Sequence, residues 1–260
     1  MLIKFINTVG ASAIRICDRF GEYGQFVAKI FAVMFSQRLD VKKLFTQMER
    51  IGVDSLPICA LIGIFSGAVL TLQTYYGFAK FGSEDKIGLV VALALTRELG
   101  PVLTGIMVTG RSGSSVAAEI GTMRITEQVD ALETLCIDVF RYLMVPRVLA
   151  GILILPFVTM FTITSGIWGG YLVYKYYHNL NAVEFIDGIK ETLVLSDITG
   201  GLIKGSVFGF ILTSIGSYCG YYTRGGAKGV GLSTIQSVVL SSITILVSNY
   251  FLAMLLFEKT

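Results

Sequence analysis

The chain has 260 residues, of which 53% are hydrophobic and 15% charged, with a mean hydropathy of +0.71. A soluble domain carries about 25% charged residues, so a soluble enzyme, a disordered chain and a free nucleic-acid binder are all disfavoured. What fits is an all-α integral membrane protein with five or six spans, since a bilayer core needs roughly 20 apolar residues per helix.

Lys and Arg number 21 against 18 Asp and Glu, a net charge of +3 that names no nucleic-acid partner. Cys17, Cys59, Cys136 and Cys219 lie far apart, and His178 is the single histidine. That pattern predicts neither a zinc site nor a disulfide framework.

Met1 to Ser36 is apolar but interrupted by Lys4, Arg15, Asp18, Arg19, Glu22 and Lys29. A cleavable signal peptide has one clean apolar run. The pattern predicts instead a helix in the membrane interface. Gln37 to Asp54 is polar and reads as a second short interfacial helix. Spans are predicted at about 55–78, 87–109, 143–174, 198–222 and 230–257. A hydrophilic segment, 110–141, separates the second from the third. Pro146 and Pro156 predict a bend or tilt in the third, and Lys175 to Asp197 reads as a polar loop.

Orientation follows from Lys and Arg in short loops. With five spans, one side receives 14 basic residues; the other has Lys80, Lys86, Lys175, Lys190 and Lys259. This predicts a cytoplasmic N-terminus and a C-terminus on the outer side. No internal repeat is evident, which argues against inverted-repeat transporters.

Gly105 to Ser112 has P-loop spacing, but Arg111 replaces the lysine and no β-strand precedes it. Nucleotide binding by this chain is therefore not expected. Arg97, Glu98 and Lys204 are charges inside spans, each costing roughly 2.5–3.5 kcal/mol to insert unless compensated. Two readings follow: a structural ion pair of Glu98 with Lys204 or Arg97, or a polar cavity that holds a headgroup. Gly100 and Pro101 free a carbonyl and permit a bend. Glu127, Asp130 and Glu133 recur every third residue and predict one acidic helical face, either solvated or docked into a cytoplasmic partner. Small residues at four-residue spacing (Gly63/Gly67, Gly166/Gly170, Gly201/Gly205/Gly209, Gly216/Gly220) predict close helix packing. His178, among tyrosines at a span end, reads as an interfacial belt residue, as does Trp168.

Three stretches together carry a family resemblance. They are Leu95-Thr-Arg-Glu-Leu-Gly-Pro101, Gly110-Arg-Ser-Gly-Ser-Ser-Val-Ala-Ala-Glu-Ile-Gly-Thr-Met-Arg124 and Thr126-Glu-Gln-Val-Asp-Ala-Leu132. Pro146-Arg147, Gly166-Ile-Trp-Gly-Gly170 and Leu202-Ile-Lys204 add to them. The chain resembles the MlaE (YrbE-type) ABC transporter permease family from about residue 40 onward; its first 36 residues match only in character. The resemblance implies interfacial elbow helices over 1–54 and a permease domain over 55–260 with coupling helices between the second and third spans. It implies a homodimer in the bacterial inner membrane, a cytoplasmic ATPase dimer, a STAS-domain regulator and a periplasmic hexamer of MCE-domain protein. The function implied is phospholipid movement between inner and outer membranes, maintaining outer-membrane asymmetry. No cofactor is expected in this chain; ATP and Mg would sit on the partner ATPase.

Carried over by position, Ala117, Ala118, Glu119, Gly121, Glu127, Asp130 and Glu133 are expected to contact the ATPase. Arg97, Glu98, Lys204, Gln73, Leu70 and Leu99 are expected to line the lipid cavity. The competing readings are an ion- or proton-coupled secondary transporter and a membrane scaffold for a periplasmic lipid-binding protein. A membrane-embedded lipid enzyme lacks a nucleophile with its base or a metal carboxylate cluster.

Overall fold

The computed structural model describes residues 2–36, 40–178 and 180–257, without the side chains of 2–13, 15, 16, 36 and 257. Lys4, Arg15, Arg38 and the tail Glu258-Lys259-Thr260 therefore lie outside the described side chains. Among the described residues every regular element is helical. Five helical runs are long and apolar enough to cross a bilayer: Val41–Phe81, Glu84–Ile125, Phe140–Tyr177, Leu195–Tyr221 and Gly226–Leu256. The protein is an all-α integral membrane protein.

α1 (Leu2–Ser36) is one amphipathic helix outside those five. Its Phe26 and Ile30 are buried against Val139, Phe140 and Leu143, while Phe20 and Phe35 stay exposed. α2 (Val41–Ile51) is capped by Asp40, whose carboxylate accepts from the Lys43 N–H at 3.4 Å. That satisfies one of the N–H groups a helix start leaves open. Leu44 and Met48 turn inward, and Val41 and Phe45 outward.

The first span is α3 (Leu56–Phe78). The second runs through α4 (Ile87–Ala94), α5 (Gly100–Val108) and α6 (Ser114–Ile125), joined by π-turns at Leu95–Leu99 and Thr109–Gly113. The helix does not stop near Thr109, where the apolar run ends. It continues to Ile125, because its small residues pack against two neighbouring helices and its hydroxyls bond the preceding turn. Ser114 Oγ, for example, donates to the Gly110 carbonyl at 2.6 Å. α7 (Gln128–Thr134) then forms a separate short helix, bracketed by Glu127 (φ 58) and Cys136 (φ 57). Both are left-handed, a conformation strained for non-glycine residues.

The third span is α8 (Val145–Leu172), flanked by π-turns at Phe140–Met144 and Val173–Tyr177. Pro146 follows directly on the first π-turn, and Pro156 lies inside α8. The polar stretch that follows is not a loop throughout. α9 (Ala182–Thr192), capped by Asn181, buries Phe185 against Tyr174. α10 (Leu195–Tyr221) begins before Asp197, so that carboxylate belongs to its first turn. α11 (Gly226–Phe257) ends the described chain.

The glycine pairs explain the assembly. A Cβ at Gly67 would land on the Gly166 carbonyl, and one at Gly209 on the Gly151 carbonyl. Without side chains the backbones of α3 and α8, and of α8 and α10, come into direct contact. In lipid, where helices gain little from hydrophobic association, such close approach supplies the packing energy. α10 sits innermost, lined by Phe208, Leu212 and Ile215, with α5, α6, α8 and α11 around it.

Candidate functional site

The charges placed inside spans meet at one point. In α-helical register the carbonyl of Arg97 awaits the N–H of residue 101, which is proline and has none. Lys204, on α10, fills the gap: its Nζ donates to the Arg97 carbonyl at 2.8 Å and to Glu98 Oε1 at 2.7 Å. The π-turn at Leu95–Leu99 shifts the helix face by one residue there, a distortion common at functional sites.

Arg97 does not share that partner. Its Nε donates to Asp197 Oδ1 at 2.7 Å, and Asp197 Oδ2 accepts the Val194 N–H at 3.2 Å. Glu98 Oε2 takes the Asn249 amide of α11 at 2.9 Å. Two cations and two anions thus sit together, with Lys204 and Asp197 wholly enclosed. The side chains of Arg97 and Glu98 are 32% and 40% exposed, so the cluster has a closed inner half and an open outer half. At 1.5 Å per residue, Lys204 lies about 14 Å along α10 from its start, well inside an apolar layer.

The ion pair exists, between Glu98 and Lys204. Arg97 and Glu98, a cation and a carboxylate, reach the surface of the span. Leu99, beside them, is 37% exposed. Leu70 lies elsewhere: it packs with Ile87, Val91, Leu95, Tyr174 and Phe185. Gln73 is exposed on α3. The structure joins neither to the charge cluster.

Sequence reasoning missed Asp197 and Asn249. Asp197 falls at the end of the predicted polar loop, although it lies seven residues before Lys204, two turns on the same helix face. Asn249 continues the inward stripe Ser233, Ser237, Ser241 and Ile245 of α11, a four-residue period that was available to see.

At the opposite end of the bundle, Ala117 and Gly121 are buried and Ala118 and Glu119 partly so. Ala117 and Gly121 face α10 and the Thr223 turn, not open surface. Glu119 pairs with Arg147. Glu127, Asp130 and Glu133 are exposed, but not on one face: Glu127 sits in the left-handed break between α6 and α7, so helical spacing does not extend to it. Asp130 pairs with Arg124. A cleft of about 470 Å³ beside α7 is lined by Lys29, Glu133, Cys136, Asp138 and Phe140.

Outside the spans, His178 stacks on Tyr75 with ring centroids 3.6 Å apart and meets Tyr76 and Tyr177 edge-on. Burial pulls its imidazole below the ordinary value, against the opposing pull of Glu84. Tyr23 on α1 bonds Ser214 at 2.7 Å, and burial raises its phenol.

A five-span helical bundle with a charge cluster part-open at the side of its spans defines a multi-pass membrane protein. The Permease MlaE family matches residues 44–255, and the chain belongs to it. A Rickettsia typhi protein named a probable ABC transporter permease is 45% identical over 258 residues, 99% of this chain and all of that one. A Synechocystis protein with a similar name is 41% identical over 89% of this chain and 88% of its own. The intermembrane phospholipid transport system permease protein MlaE of Haemophilus influenzae is 34% identical over 99% of both chains. This chain is therefore an ABC transporter permease of the MlaE family.

Proposed function

We propose that the chain is the membrane subunit of an ATP-driven transporter that moves phospholipid between the inner and outer membranes and maintains outer-membrane asymmetry. The observation that carries this reading is the end-to-end similarity to the Haemophilus phospholipid permease. In this reading two copies sit in the inner membrane with N-termini cytoplasmic and C-termini periplasmic. A cytoplasmic ATPase dimer holding ATP and Mg drives them, a STAS-domain protein regulates them, and an MCE-domain hexamer covers the outer face.

The chemistry of the charge cluster supports a phosphate-bearing substrate. Arg97 is part-exposed and holds Asp197 with its Nε. A lipid phosphate reaching its exposed part is held by charge-assisted hydrogen bonds. Lys204 is enclosed and held by Glu98, so the part-exposed Arg97 is the cation that meets the phosphate. Apolar exposed faces on either side accept the acyl chains.

The test is reconstitution of the chain with its ATPase in vesicles containing a fluorescent phospholipid. Transfer of lipid that depends on ATP and ignores a proton gradient is expected. Transfer driven by the gradient without ATP would indicate a secondary transporter, and no transfer with a retained periplasmic partner would indicate a scaffold.

A further inference from the structure

Glu119 differs from the exposed acids of α7 in what it touches. Its Oε1 lies 2.8 Å from Arg147 Nη2 and 3.5 Å from Arg50 Nη1. Arg147 is 4% exposed, and its Nη1 donates to the Leu143 carbonyl at 2.7 Å. One carboxylate oxygen thus joins three elements: α2 through Arg50, α6 through Glu119 itself, and α8 through Arg147. Next to it, Arg111 donates to Ser55 Oγ at 3.0 Å and to the Arg50 carbonyl at 2.6 Å, and pairs with Asp54. The opposite side of α6 is packed into the bundle through Ala117 and Ile120.

We infer that Glu119 is a positioning residue that couples the helices, and not a contact for the partner ATPase. The inference rests on the transport reading above. Its physical basis is the enclosure of Arg147. If α6 moved without α8, a buried guanidinium would be left without its counter-charge, a costly arrangement. The third span and the elbow helix α2 therefore follow α6 when the segment ending in α7 is displaced. Apolar packing alone would let the helices slide; a charge pair with one enclosed member does not.

The experiment uses the full complex of this chain with its ATPase, in nanodiscs and vesicles, and measures three quantities: ATPase retained on purification, ATP hydrolysed, and lipid moved per ATP. Glu119→Gln is expected to retain the ATPase within about twofold while lipid moved per ATP falls about tenfold or more, the scale of a coupling between sites. Glu119→Asp, which keeps a carboxylate for Arg147 and Arg50, is expected to retain most of that ratio. Where Glu119→Gln does not yield a folded complex, the pair Glu119→Gln with Arg147→Met leaves no buried charge and is expected to show the same loss of ratio. Loss of the ATPase from the Glu119→Gln complex would make Glu119 a docking contact and overturn the inference, as would an unchanged ratio. An unaltered chain that moves no lipid with ATP overturns the transport reading itself, and this inference with it.

Discussion

Glu98 and Lys204 look interchangeable as partners, but their surroundings make them unequal. Lys204 is wholly enclosed, whereas Glu98 reaches the surface and keeps the Asn249 amide. Glu98→Ala takes the carboxylate away from an enclosed ammonium and is expected to cost about 3–5 kcal/mol. Lys204→Met leaves a carboxylate with an amide partner and an outlet, and is expected to cost markedly less. Unfolding of both variants in the same detergent gives the comparison; equal losses would deny the asymmetry. His178 provides a second residue-scale expectation. Its folded imidazole titrates below the unfolded one, so the unfolded chain binds the proton more readily. Its contribution is present above about pH 6.5 and is lost as pH falls through that value toward the lower folded one. The melting temperature is expected to drop between about pH 7.5 and 5.5, and to drop less in His178→Phe, which keeps the stack on Tyr75. Identical slopes would remove His178 as the cause.

Among the elements, contacts between backbones decide which helices are neighbours. α8 touches α3 at Gly166 and α10 at Gly151, with no side chain between. Gly209→Ala puts a methyl group onto the Gly151 carbonyl, and neither helix can yield without moving the other. The expected cost is about 1–3 kcal/mol or more, the range for overpacking, with lowered yield of folded protein by fluorescence-detected size exclusion. Gly21→Ala, with open space around its Cβ, is the control and is expected to be neutral or slightly stabilising, since alanine is the better helix former. The four-residue glycine spacing was legible in the sequence. The matching of each stripe to its partner was not, because the period is the same in all of them and carries no address.

At the scale of the whole molecule, α11 packs one face on the bundle and leaves the other open. Its inward stripe is Ser233, Ser237, Ser241, Ile245 and Asn249, while Leu232, Val239, Leu246 and Phe251 face out. An apolar outward face suits lipid or a second copy of the chain equally well, and the proposed homodimer supplies that second copy. Single cysteines at Val239→Cys and Leu246→Cys, in a chain whose four native cysteines are replaced by alanine, are expected to cross-link between copies in the membrane for at least one position. Cross-linking at neither, with labelling by a lipid-phase reagent at both, would place α11 wholly against lipid.

Some of this protein is written in local composition. The class, the number of spans and the small-residue packing follow from apolar run length and short periods, because lipid imposes one solution on any long apolar segment. The charges worth testing were legible for the same reason: in an apolar run a charge is conspicuous. Tertiary structure decided the rest. It put Asp197 inside α10 and gave it to Arg97, extended the second helix to Ile125, and turned Ala117 and Gly121 inward. It also showed that Glu119 is held by Arg147 from within the chain. These depend on which residues far apart in sequence arrive at the same place. A charged residue announces its own cost in the sequence, but the partner that offsets that cost is chosen only when the helices pack.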